Sequence, residues 1–101
     1  MPLLVSSSLD GASISLRPAG DLDLASCPLL AEAIEKAVNA DGVEHIVLDL
    51  TDVPFMDCAG MSTLIAGRID AEQRGRDLRL VNAQGIVLRL LRMTGVMDYF
   101  A

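Results

Sequence analysis

The sequence has no tryptophan, one tyrosine and two phenylalanines, so aromatic residues make up only 3% of its 101 positions. A core without large rings must be aliphatic. The apolar fraction of 51% names Leu, Ile, Val, Met and Ala as its material. Cations are also scarce: eight Lys and Arg stand against fourteen Asp and Glu, a formal net charge of −6. No nucleic acid partner is expected, because neutralising phosphates needs a basic stripe. Arg89 and Arg92 lie one helical turn apart and read as a solvated face. No run approaches the ~20 apolar residues of a spanning helix, so no direct membrane insertion is expected. The opening MPLLVSSSLDG lacks the positive n-region of a signal peptide, and its alternation suits a strand. Two cysteines, Cys27 and Cys58, without an export signal read as free thiols in a reducing cytoplasm. The single histidine is His45, and neither cysteine has a second ligand at metal-binding spacing. Neither a metal nor a cofactor is expected.

What is present is a regular alternation of elements. A chain of this length is expected to form one domain over residues 1–101. Leu3–Leu9 and Ala12–Pro18 flank Asp10-Gly11, which predicts a hairpin. After the loop Gly20–Asp23, either Asp23 or Ser26 is a cap for a helix with Pro28 in its first turn. Leu29, Leu30, Ala33, Ile34, Ala37 and Val38 recur at helical spacing, and Asp41-Gly42 ends that element. Val43–Leu50 is dense in β-branched residues and predicts a strand covered on both faces. Asp57 caps a second helix carrying Met61, Leu64, Ile65, Arg68 and Ile69, with Gly75 as its stop. Leu78–Val81 is a short strand. Asn82 then caps a third helix carrying Val87, Leu90, Leu91 and Met93, and a last turn after Gly95 docks Tyr99 and Phe100.

The predicted fold is α/β: a mixed, mostly parallel sheet of four to five strands, an N-terminal β-hairpin and three to four helices. Strands separated by helices are normally parallel, so the loops after the second and third strands share one sheet edge. Ligands and partners of open α/β sheets gather at the carboxyl ends of the strands. Asp21, Asp23, Asp57 and Cys58 are thus expected in one surface patch. Ala59, Gly60, Met61 and Ser62 continue it along the first turn of the second helix, with Gly60 admitting a close backbone approach. His45 begins the third strand while Cys58 follows its end, and about five residues of strand separate the two edges by roughly 16 Å. A nucleophile pair needs hydrogen-bond reach, so His45 is not the base for this thiol and no enzyme is expected.

At these residues the sequence resembles the STAS domain, specifically the bacterial anti-sigma factor antagonists. The anchors are AGDLDLASCPLL at 19–30, HIVLDLTDVPFMDCAGMSTL at 45–64 and LRLVNAQGIVLRLLRMTGVMDYF at 78–100. The resemblance implies a cytoplasmic binder of an anti-sigma factor of the Ser/Thr kinase type, which thereby frees a sigma factor. It also implies a phosphoacceptor serine immediately after the motif aspartate. Here that position holds Cys58, followed by Ala59, and neither has a hydroxyl. The resemblance then leaves three regimes open: constitutive binding, oxidation of Cys58 as the signal, or phosphate taken by Ser62 or Thr63. The alternative function is that of a STAS accessory subunit of a membrane transport complex. Oligomeric state is not written in the sequence.

Overall fold

The computed structural model describes residues 3–100. It opens with a hairpin of β1 (Leu4–Asp10) and β2 (Ser13–Ala19). Asp10 pairs with Ser13, so the turn centres on Gly11-Ala12, one residue later than the Asp-Gly signal suggests. Gly11 has φ 61° and Ala12 stays out of the positive region, the sign pattern of a II′ turn. The remaining elements are α1 (Cys27–Val38), β3 (His45–Asp49), α2 (Cys58–Gln73), β4 (Asp77–Val81), α3 (Gly85–Met93) and α4 (Val96–Tyr99).

The sheet order is β1-β2-β3-β4, with β1 antiparallel to β2 and the other neighbours parallel. The strand order never reverses. Right-handed crossovers that all step in one direction place their helices on one face of the sheet. Burial follows that rule: Leu16 of β2, Ile46 and Leu48 of β3 and Leu78 of β4 are buried beneath α1 and α2. They meet Leu30, Ile34, Ala37 and Val38 of α1, and Leu64 and Ala71 of α2. The expectation that β3 is covered on both faces fails for the same reason. Val47, on the other face, is half-buried in a shallow depression with Ser13, His45, Asp77 and Arg79. A β-branched run reports hydrophobicity, but crossover direction decides how many faces are covered.

The helix ends explain the register of the layers. α2 stops in a Schellman motif: the Gly75 N–H donates to the Glu72 carbonyl at 3.1 Å and the Arg76 N–H to the Ala71 carbonyl at 2.8 Å. Gly75, at φ 72°, supplies the left-handed residue this motif requires. Asn82, by contrast, does not cap α3. The cap position is Gln84, while Asn82 sits at φ 61° and donates from Nδ2 to Asp49 Oδ1 at 3.1 Å. Met93 is exposed and lies off the buried stripe of Val87 and Leu91. At the end of the described chain Phe100 is buried and Tyr99 keeps an outer face. The Arg68 guanidinium carbon lies 5.3 Å from both ring centroids, and Arg68 also donates to the Leu78 carbonyl at 3.4 Å. This contact ties α4 to α2 and β4.

Candidate functional site

The loops after β2 and β3 run side by side as a short parallel extension of the sheet. Isolated bridges join Ala19 to Asp52 and Leu22 to Met56. The Gly20 N–H donates to the Asp52 carbonyl at 3.0 Å and the Leu22 N–H to the Phe55 carbonyl at 3.0 Å. The Asp57 N–H returns to the Leu22 carbonyl at 3.1 Å. Below them Arg17 Nε donates to Asp52 Oδ2 at 2.9 Å, and this bond raises the guanidinium pKa further above its usual value. Leu22 and Met56 are buried under the pair. Residues on either side of them, Asp21, Phe55 and Cys58, are exposed, and Asp23 and Asp57 are half-buried.

Each loop delivers an aspartate to a helix start. The Asp23 carboxylate accepts from the Ser26 N–H at 3.0 Å, while Ser26 Oγ accepts from the Asp23 N–H at 3.0 Å. The two candidate caps thus act reciprocally, in the manner of a capping box. The Cys27 N–H donates to the Asp23 carbonyl at 2.9 Å, so a helical turn precedes α1. At α2 the Asp57 carboxylate accepts from the Gly60 N–H at 3.0 Å. Negative charge at both positions also complements the helix dipoles.

Cys58 is the first residue of α2 and is exposed; Ala59 and Met61 are half-buried and Ser62 is exposed. Gly60 is buried, and the backbone that approaches it belongs to its own chain. A Cβ at residue 60 would stand 2.5 Å from the Leu22 carbonyl oxygen and 2.9 Å from Leu22 Cβ. The glycine therefore seats the first loop on the first turn of α2. His45 lies at the opposite end of β3, with Nδ1 3.1 Å from Asp77 Oδ2. Both cysteines are free, and Cys27 Sγ donates to the Leu24 carbonyl at 3.5 Å.

The family model of the STAS domain matches residues 7–101. The chain belongs to the STAS domain family. Among its relatives is an anti-sigma-B factor antagonist of Listeria monocytogenes, 29% identical over 89 residues, covering 88% of this chain and 77% of that protein. A crystal structure of an anti-sigma factor antagonist from Mycobacterium paratuberculosis matches with a TM-score of 0.83 at 23% identity, over 97% of this chain and 82% of that one. The fold also matches part of the murine Slc26a9 anion transporter, with a TM-score of 0.78 at 20% identity, over 90% of this chain and 15% of that one.

Sequence reasoning missed three features of this STAS domain's edge. Leu24 and Phe55 are large, apolar and exposed there, one in each loop. Nothing in an apolar residue beside buried Leu22 and Met56 distinguishes an outward side chain from an inward one until the register is known. The third is a link to the loop after β4. Asp49 accepts from the Thr51 N–H at 3.0 Å, from the Thr51 hydroxyl and from Asn82. The Thr51 hydroxyl bond contributes most to holding the Asp49 carboxyl below the usual carboxylate range, against some desolvation. The available signals were an Asp with a Thr two residues on, which favours a local turn, and an Asn, which tolerates left-handed backbone. Among the described residues, no group of three or more His, Cys, Asp or Glu is placed to hold a metal, and no helix is long and apolar enough to cross a membrane.

Proposed function

We propose that this STAS domain is an anti-sigma factor antagonist in the cytoplasm. It binds an anti-sigma factor of the Ser/Thr kinase type through Asp21, Asp23, Asp57, Cys58, Ala59, Met61 and Ser62, with Gly60 acting from beneath, and so releases a sigma factor. The observation that carries the reading is the exposed Cys58 at the first position of α2, beside the Asp57 cap, on an edge where two loops are held in main-chain register. The names of the relatives support the same role. The domain is a binder and performs no catalysis itself.

Cys58 stands where the family pattern has a phosphoacceptor serine. Phosphorylation there adds about −1.5 to −2 charges beside existing carboxylates and repels a closely packed partner. A thiol is not a normal substrate of a Ser/Thr kinase, so this chain keeps its partner when ATP is present. The test is binding of each purified kinase-type anti-sigma factor of the source genome, with and without ATP, to the natural chain and to Cys58→Ser. The expected result is ATP-insensitive binding by the natural chain, and phosphate gain with loss of binding by Cys58→Ser, read by mass spectrometry. Failure of every such protein to bind either form would overturn the reading.

A second reading, that of a subunit in a membrane transport complex, draws on the fold likeness to part of Slc26a9. Co-purification with a permease in place of an anti-sigma factor would favour it.

A further inference from the structure

Two loops frame the proposed docking edge, yet three parallel strands end there. The loop after β4 is joined to the others in two ways. The Leu50 N–H donates to the Val81 carbonyl at 2.9 Å, and Asn82 Nδ2 donates to Asp49 Oδ1 at 3.1 Å. Asn82 holds a left-handed φ of 61° to make the second contact, a conformation that non-glycine residues rarely adopt. Each of the three loops, or the helix turn it opens, carries one large apolar side chain in solvent: Leu24 at 76%, Phe55 at 41% and Ile86 at 58% exposure. None of the three belongs to the core cluster.

The charge carried by the three loops themselves has one sign, with Arg17 and Arg89 as neighbouring cations, in β2 and α3. Residues 20–26, 50–58 and 82–86 contain Asp21, Asp23, Asp52 and Asp57 and no Lys or Arg. Asp52 is already paired with Arg17, which leaves three carboxylates without a cation among the salt bridges of the described residues. The opposite edge is mixed: Arg74 and Arg76 stand there beside Asp77 and His45. Two copies meeting edge to edge would bring the unpaired Asp21, Asp23 and Asp57 of each together, which disfavours a second copy as the occupant.

We infer that the docking surface spans all three loops, with Leu24, Phe55 and Ile86 as apolar anchors, and that it fits a protein partner presenting apolar sockets ringed by Lys or Arg. This rests on the binder reading above and deepens it, since the third loop and the partner's charge were not part of it. Apolar anchors inside a charged surround supply affinity, while the charges set the encounter rate and its salt dependence.

The experiment measures affinity of the purified kinase-type anti-sigma factors for the natural chain, Leu24→Ser, Ile86→Ser, Asp21→Lys and the control Leu9→Ser, at low and high salt. Leu9 is exposed at the far end of β1. Ile86→Ser and Leu24→Ser are expected to weaken binding at least about tenfold, as for anchors of this kind. Asp21→Lys is expected to slow association and flatten its salt dependence, and Leu9→Ser to change nothing. Ile86 is largely exposed, so thermal melting of Ile86→Ser should match the natural chain and separate binding from folding. Natural-strength binding by Ile86→Ser, with Asp21→Lys impaired, overturns the third loop and leaves the binder reading standing. No binding by the natural chain overturns both. Self-association of the natural chain that Ile86→Ser abolishes overturns the choice of occupant.

Discussion

The two edges of the sheet both hold loops to strands through main-chain bonds, but they differ in how many side chains they commit to the task. At the amino-terminal edge the Glu44 N–H donates to the Ala12 carbonyl at 2.7 Å and the Asp77 N–H to the Glu44 carbonyl at 3.0 Å, and a cation reinforces them: Arg76 Nε donates to the Val43 carbonyl at 2.6 Å and Nη2 to the Ala40 carbonyl at 3.0 Å. Arg74 reaches Asn39 Oδ1 at 2.6 Å. These side chains are spent on the fold. At the carboxyl-terminal edge the loop rims pair through the main chain of Gly20, Leu22 and Asp57, with the side-chain bonds Arg17–Asp52 and Asn82–Asp49 set below and beside them. Backbone pairing leaves side chains free, and Asp21, Leu24, Phe55 and Cys58 face solvent. An edge held by its backbone can vary its side chains without losing its shape, and that is what a docking surface requires.

The sharpest way to break this contrast is Gly60→Ala. The added Cβ meets a carbonyl oxygen at 2.5 Å, and a backbone atom cannot swing aside. The expected cost is about 2–3 kcal/mol in urea unfolding, with loss of partner binding. Gly67→Ala in the same helix is the milder comparison, because its Cβ would meet Ile34 side-chain carbons at 3.1 Å in place of a backbone oxygen at 2.5 Å. Equal costs would refute the steric account of Gly60. Next in size is Arg76→Ala, which removes two charge-assisted bonds at the other edge. It should cost about 2 kcal/mol and leave partner affinity unchanged; a change in affinity would show that the edges are not independent. Asp57→Ala removes the α2 cap and should cost about 1 kcal/mol, measured the same way.

The smallest effect concerns Asp49. Its carboxyl is held below the usual range, first by the Thr51 hydroxyl and further by the Thr51 N–H, Asn82 and Arg17. A depressed carboxylate pKa contributes stability that is fully present above the unfolded value of about 3.9 and is lost as pH falls toward the folded value. Asp49→Asn should therefore show a shallower loss of stability below about pH 4 than the natural chain. Parallel acid unfolding curves would remove Asp49 from the account.

Most of the framework was legible because each element carried its own punctuation. The spacing of Leu30, Ile34 and Ala37, the cap at Asp57 and the stop at Gly75 each predicted a local outcome that backbone chemistry alone enforces. The order of elements then implied the parallel pairing, and with it the shared edge for Asp23 and Cys58. The errors lie where an outcome depended on residues distant in sequence. Asn82 carries the composition of a cap, but it takes a left-handed turn with its Nδ2 on Asp49 and the cap position falls two residues later, at Gln84. Val47 carries the composition of a core residue, but crossover direction leaves it half-buried. Gly60 signalled a close approach without saying that Leu22 would make it. In the site, the acids and the thiol were visible as chemistry, while Leu24 and Phe55 depended on which way the paired loops turned their side chains.

The contact between Leu22 and Gly60 makes two stretches of chain, far apart in sequence, into a single mechanical part. Cys58 lies two residues to one side of that joint, and Asp23 follows Leu22 on the other. Positions 22 and 60 are accordingly one trait for selection, and laboratory libraries that diversify either loop alone will return only those variants that leave this joint intact.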